Sequence, residues 1–293
     1  MDYLVPVFFA VITWWLATVL LMYRSTRARE KCRNTLIATS LLAVAGLAGL
    51  FLTRSLDSLT GAYLAFLSAL AIWAWHEMTY FLGYVTGPRP ESCPAGVTGW
   101  KKFGFGIRTS LYHELAIILT AALVIWINYD QPNQVGTWTF MILWLMRWSA
   151  KLNIFLGVRN LHREFWPDHL QYLGSYVRSA RMNPLFPLSM LGSGLALLAL
   201  LLGAYQAPAD SFERTGLMLL VSLLSLAILE HVFLMIRVPD AWLWRLATGR
   251  SDTQGHQTDL SRSKGDARGS QFDGGSRHLS ELDMAELRMG QQP

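Results

Sequence analysis

The chain alternates long apolar segments with shorter polar ones, and the alternation recurs seven times. Each apolar segment has roughly 20 residues, enough at about 1.5 Å per residue to cross about 30 Å of hydrocarbon. The pattern therefore predicts seven transmembrane helices. They cover residues 4–23, 35–53, 62–85, 110–128, 136–158, 185–205 and 215–236.

The composition supports this interpretation. Hydrophobic residues make up 52% of the chain and charged residues only 15%, whereas soluble domains have about 25% charged residues. Twelve tryptophans and ten tyrosines are typical of a protein that meets two membrane interfaces. We therefore expect an all-α integral membrane protein, a bundle of seven transmembrane helices within the lipid bilayer.

Lysine and arginine are distributed unequally between alternate loops. The loops and tail predicted on one side contain 21 of them, whereas the loops on the other side contain two, Arg54 and Arg214. Because basic loops remain in the cytoplasm, the N-terminus is predicted outside and the C-terminus inside. The net charge of +5 thus reflects topology, and we expect no nucleic-acid partner.

The chain divides by composition into two parts. Residues 1–248 contain all seven apolar segments and are predicted to form the transmembrane domain. Residues 249–293 are rich in Gly, Ser, Asp, Arg and Gln, a composition that buries too little apolar surface to offset the entropy of ordering. This second part is predicted to be a disordered cytoplasmic tail.

Ionisable side chains interrupt four of the apolar segments. Such a group costs about 2.5–3.5 kcal/mol in a membrane helix on insertion scales, so it usually has a partner or a function. The residues are His76 and Glu77, His113 and Glu114, Arg147 and Lys151, and Glu230 and His231. The predicted topology places the three His–Glu pairs toward the cytoplasmic side, where a loop adds His162, Glu164 and His169.

One hypothesis for this cluster is a ligand site. Imidazole and carboxylate groups bind iron, manganese and zinc, and a membrane histidine can also ligate a chlorin or haem. Adjacent residues point about 100° apart on a helix, so one member of each pair can face a shared centre. The candidate metal ligands are His76, His113, Glu114, His162, His169 and His231.

A second hypothesis needs no ligand. Arg147 and Lys151 are four residues apart and share one helix face, where they can neutralise two of the carboxylates Glu77, Glu114 and Glu230. Glu77 is the predicted partner of Arg147. Transport of protons or ions is a third hypothesis, and the sequence leaves all three open.

The same region resembles a known family. The resemblance rests on WHEMTYFLGYVTGPRPESCP, LYHELAI, KLNIFLGVRNL, HLQYLGSY and MNPLFPLSM, and it covers roughly residues 1–240. These stretches are similar to PuhE, a family described as photosynthetic complex assembly proteins of phototrophic bacteria. The resemblance implies no catalytic residue that can be transferred to this chain.

The resemblance implies a multi-pass protein of the bacterial cytoplasmic or intracytoplasmic membrane. It would assist assembly of the photosynthetic reaction centre and light-harvesting complex, or modulate bacteriochlorophyll supply to them. Its partners would be reaction-centre or antenna subunits or pigment-synthesis enzymes. The alternative is a membrane-embedded metal-dependent oxidoreductase that uses the His and Glu residues on a pigment, lipid or quinone.

Overall fold

The computed structural model describes residues 3–25, 32–159 and 166–236. Within these residues the protein is helical and has no β-strand, which confirms the all-α prediction. A 3₁₀ helix, Asp168–Ser175, lies between α6 and α7. The α-helices are α1 (Leu4–Ser25), α2 (Cys32–Thr53), α3 (Leu59–Phe81), α4 (Gly99–Arg108), α5 (Leu111–Ile127), α6 (Val135–Leu156), α7 (Leu185–Gln206) and α8 (Phe212–Met235).

Five of the described helices, α1, α2, α3, α7 and α8, are long and apolar enough to cross a membrane. The pair α4 and α5, bent by 64° at a short break, forms a sixth candidate span. Helix α6 has 22 residues but is less apolar because it carries Arg147 and Lys151. Length and composition therefore support five or six of the seven predicted spans.

Helix α3 ends earlier than the predicted segment 62–85 because of a glycine turn. Gly83 has a φ of 77°, a left-handed conformation that residues with a Cβ adopt at a cost. The N–H of Gly83 donates to the Tyr80 carbonyl at 3.0 Å, and the N–H of Tyr84 donates to the Thr79 carbonyl at 2.9 Å. These two bonds form a Schellman motif, which terminates the helix.

Helix α3 lies at the centre of the bundle and contacts α1, α2, α5, α6 and α8. Its residues Phe66, Ala69 and Ile72 are buried in the main hydrophobic core. Helix α2 approaches α3 closely at Gly46, where a Cβ would come within 2.6 Å of the Ser68 carbonyl oxygen. Small residues permit such close packing between membrane helices.

Two buried asparagines fix the ends of α6. The Asn133 amide donates to the carbonyl oxygens of Thr53 and Gly61 at 3.0 and 3.1 Å. The Asn183 amide donates to the Gly157 carbonyl at 2.8 Å. The Thr53 and Gly157 carbonyls are among the backbone groups that helix C-termini leave unpaired. The asparagines therefore anchor the helix that carries the candidate site.

The chain divides into two units, 1–239 and 240–293. All the helices described above belong to the first unit. The second unit lies outside the described residues, and so does the predicted tail 249–293.

Candidate functional site

Helix α6 presents two cations on one face, because Arg147 and Lys151 are one helical turn apart. The Arg147 Nη2 atom lies 2.7 Å from Oε2 of Glu77 on α3. The Lys151 Nζ atom forms an ion pair with Oε1 of Glu114 on α5. Two ion pairs therefore link α6 to two neighbouring helices, and Arg147 has the partner that the sequence predicts.

Both carboxylate oxygens of Glu114 have donors. Trp148 Nε1 donates to Oε2 at 2.6 Å, and Lys151 donates to Oε1. Each hydrogen bond to a charged group contributes about 1.5–3 kcal/mol, which offsets the burial of this carboxylate. The role of Trp148 is absent from the sequence prediction, because a tryptophan in an apolar segment is equally typical of packing.

A cavity of about 450 Å³ opens beside these ion pairs, within the size range of small-molecule sites. Residues of α3, α4, α5, α6 and the 3₁₀ helix line it. Its charged end contains Glu114, Arg147 and Lys151. Its apolar wall includes Phe81, Ile107, Leu115, Phe155, Leu170 and Leu173. The cavity is therefore amphipathic, with charged groups at one end and apolar surface elsewhere.

The proline-rich loop 86–94 is fixed against the side of the cavity. Arg89 Nε donates to the Tyr176 hydroxyl at 3.1 Å, and Tyr176 itself lines the cavity. The backbone N–H of Cys93 donates to Ser175 Oγ at 2.7 Å. The loop thus holds the 3₁₀ helix region in place as one wall of the cavity.

The imidazoles of His76 and His113 meet in the core next to this site. Their ring centroids are 6.3 Å apart with an angle of 79° between the planes. Their exposed fractions are 1% and 0%. Within the described part of the chain, none of their four ring nitrogens has a hydrogen-bond partner. Buried polar groups normally have hydrogen-bond partners. The two histidines therefore either bind a ligand or lower the stability of the core.

The two residues of the third pair, on α8, differ in their environment. His231 is buried, with Nδ1 at 2.8 Å from the Ala227 carbonyl and Nε2 at 2.9 Å from Ser149 Oγ on α6. Glu230 is exposed and lies within electrostatic range of Arg147. One member of each predicted pair therefore contacts α6. These residues are Glu77, Glu114 and His231.

The predicted residue His169 does not join this cluster. His169 is exposed and covers the turn at Gly83, where a Cβ would lie 2.9 Å from its Cδ2 atom. His162 and Glu164 lie outside the described residues. Across residues 3–25, 32–159 and 166–236, no three His, Cys, Asp or Glu side chains form a metal-binding group.

Helix α4 is a part of the site that lies between two predicted segments, 62–85 and 110–128, in a stretch predicted as a loop. Phe103 and Ile107 line the cavity from this helix. Their spacing of four residues beside Lys101, Lys102 and Arg108 is the signal that predicts an amphipathic helix. Ten residues are too few to span a membrane, so a search for long apolar segments passes over them.

These features define a polytopic helical membrane protein with an amphipathic cavity beside buried ion pairs. The chain belongs to the family described as "Protein of unknown function (DUF3623)", which matches residues 1–255. It is similar to the "Uncharacterized 30.4 kDa protein in puhA 5'region" of Rhodobacter capsulatus. The two are 34% identical over 242 residues, covering 80% of this chain and 86% of the relative. No solved structure matches the chain.

Proposed function

We propose that this protein is a membrane factor for building the photosynthetic apparatus. It would assist assembly of the reaction centre and light-harvesting complex, or modulate bacteriochlorophyll supply, by holding an apolar molecule in the cavity described above. The amphipathic cavity is the observation that carries the proposal. The relative from the puhA 5' region and the resemblance to PuhE both favour a photosynthesis-related role.

The cavity suits a molecule that reaches the protein from the bilayer. Leu115 and Ile118 of α5 and Phe155 of α6 contribute apolar surface to it. An apolar molecule in the bilayer is already out of water, so its binding in such a space is favoured by van der Waals packing against these side chains. The charged end then fixes the orientation of a polar group, as in most small-molecule sites.

The proposed topology has seven spans with the N-terminus outside and the C-terminus in the cytoplasm. Helix α6 would be the additional span, since its 22 residues reach about 33 Å. Its two cations pair with carboxylates of α3 and α5 rather than facing lipid. The unequal loop charges support the orientation, and the membrane would be the bacterial cytoplasmic or intracytoplasmic membrane.

The proposed partners are reaction-centre or antenna subunits or pigment-synthesis enzymes. Helix α7 offers a surface for such partners or for lipid, because Leu188, Leu191 and Leu195 are exposed at helical spacing. Exposed leucine side chains on a membrane helix pack equally well against lipid and against another protein. This face therefore supports a location in the membrane and does not select a particular partner.

Deletion and complementation in a phototrophic bacterium test the proposal. We expect deletion to lower the near-infrared absorbance of the assembled complexes, and the wild-type chain to restore it. Leu115→Trp, which adds bulk at the cavity wall, should fail to restore it. Leu195→Trp adds the same bulk on the exposed face of α7 and should restore it. Normal complexes in the deletion strain would refute the function, and full rescue by Leu115→Trp would refute the role of the cavity.

The unpaired nitrogens of His76 and His113 favour the oxidoreductase as a second candidate. Two imidazoles can contribute to a metal site, and His162 is a further predicted metal ligand. Elemental analysis of the purified chain and of His76→Ala and His113→Ala tests this candidate. Near-stoichiometric iron, manganese or zinc in the wild type, lost in both variants, would favour the enzyme over the assembly factor.

A further inference from the structure

The charged end of the cavity has more N–H donors than its carboxylate oxygens can accept. Glu114 accepts from both Lys151 and Trp148, so its two oxygens are occupied. A lysine ammonium has three N–H groups and an arginine guanidinium has five. The Arg147 and Lys151 side chains are 30% and 27% exposed, and both line the cavity. A ligand at this end must therefore supply acceptors.

Each of the two cations at this end already has a carboxylate partner. Arg147 pairs with Glu77, and Lys151 pairs with Glu114. Glu230 adds a third carboxylate within electrostatic range of Arg147. An anionic head group would bring a further negative charge toward Glu114, which lines the cavity, and toward the two carboxylates that interact with Arg147. In a low-dielectric site that repulsion is weakly screened. A neutral acceptor uses the remaining N–H groups without this repulsion.

The rest of the cavity offers only weakly polar or apolar surface to the body of a ligand. Helix α4 contributes Phe103 and Ile107, α6 contributes Phe155, and the 3₁₀ helix contributes Leu170 and Leu173. Aromatic and branched side chains of this kind bind flat or chain-like apolar groups. The ligand is thus an amphiphile with a small polar end.

We propose that the cavity binds a neutral amphiphile whose carbonyl oxygens accept hydrogen bonds from Lys151 and Arg147. Its apolar body lies between α4, α5, α6 and the 3₁₀ helix. This inference rests on the proposed binding role of the cavity and names the ligand class. Lipid-soluble quinones and the ketone and ester groups of bacteriochlorophyll-type pigments share this chemistry.

Binding of four probes to the purified full-length chain in neutral-lipid nanodiscs tests the proposal. Decylubiquinone represents the quinones, and bacteriopheophytin represents the pigments without their metal. Palmitate provides an anionic head group, and decylbenzene provides an apolar body without a carbonyl. We expect one of the two carbonyl probes to bind more tightly than palmitate and decylbenzene, and the one that binds identifies the source.

Two double variants isolate the hydrogen-bond donor at position 151. Glu114→Gln with Lys151→Met removes both charges and the donor. Glu114→Gln with Lys151→Gln removes both charges but keeps an N–H donor. Removing both charges together leaves no unpaired buried ion. We expect the Met variant to bind the carbonyl probe about tenfold more weakly, whereas the Gln variant retains most of the affinity.

Thermal unfolding of both double variants establishes that they fold before binding is compared. If both are unstable, Leu115→Trp provides the second test, since it adds bulk at the cavity wall and leaves every charged residue in place. Equal binding by the Met and Gln variants, tighter binding of palmitate or decylbenzene, or no binding of either carbonyl probe would overturn the inference. Carbonyl binding in vitro with normal complexes in the deletion strain would refute only the assembly function.

Discussion

His76 and His113 face each other across the α3–α5 contact, with ring centroids 6.3 Å apart. Neither ring forms a hydrogen bond within the described residues. An unmet buried polar group costs about 1–3 kcal/mol, so the pair lowers stability unless a ligand compensates. Replacing one of the two histidines therefore shows whether the pair only lowers the stability of the protein or also binds a ligand.

We expect His113→Leu to raise the stability of the purified chain by about 1–3 kcal/mol, because leucine has a similar volume and no nitrogen to satisfy. His113→Ala should lower stability, because it leaves a cavity in a packed core. Thermal unfolding in detergent measures both changes. A less stable Leu variant that also loses a copurifying metal or pigment would show that the histidines hold a ligand.

Arg147→Ala is expected to reduce stability by about 3–5 kcal/mol, because Glu77 would remain buried without its ion. The matched control is Arg147→Met combined with Glu77→Gln, which removes both charges and should recover most of the loss. Accumulation in the membrane and the thermal midpoint report the effect. An unchanged midpoint and yield for Arg147→Ala would show that the ion pair contributes nothing.

Gly46→Ala should destabilise the bundle, because the new Cβ would lie 2.6 Å from the backbone oxygen of Ser68 and would force α2 away from α3. Gly192→Ala is the control. Gly192 is on α7. Apart from its two chain neighbours and the nearby backbone of its own helix, no atom of the described residues lies within 4 Å of the position its Cβ would occupy. Thermal midpoints of the two variants measure the difference. Equal midpoints would show that the close approach of α2 to α3 is not required.

Truncation after Gly249 is expected to leave insertion and yield intact. The removed residues have the polar, glycine-rich composition of segments that do not form a core, and they lie outside the described residues. Membrane fractionation and yield of the truncated chain test this expectation. A protein that is degraded or not inserted would show that the tail contributes to the fold.

The sequence predicts the helices well because each needs a long apolar segment, and hydropathy records that requirement directly. Six of the predicted segments correspond to helices with boundaries within a few residues. The segment 62–85 begins three residues late and ends four residues late, because Gly83 alone does not reveal a Schellman turn. Helix α4 is missed because its ten residues are amphipathic rather than uniformly apolar.

The pairing of Arg147 with Glu77 could be predicted because a deep membrane charge requires a partner. Nothing in the sequence distinguishes Trp148 as a donor to Glu114. The cavity was also beyond prediction, because its wall combines α4, the 3₁₀ helix and three longer helices that meet only in the folded chain. The residue types in a segment show which side chains need an oppositely charged partner. The position of a cavity, in contrast, depends on how all the helices pack.

The two ion pairs of α6 also constrain the order of membrane insertion. Each cation costs about 2.5–3.5 kcal/mol in a lone helix in lipid. Glu77 and Glu114 precede Arg147 and Lys151 along the chain, so both carboxylates are synthesised before the cations that neutralise them. In the proposed seven-span topology, helices α3 and α5 would therefore form the binding surface for α6 during biogenesis, and a rearranged chain that released α6 first would leave its two cations without partners in the bilayer.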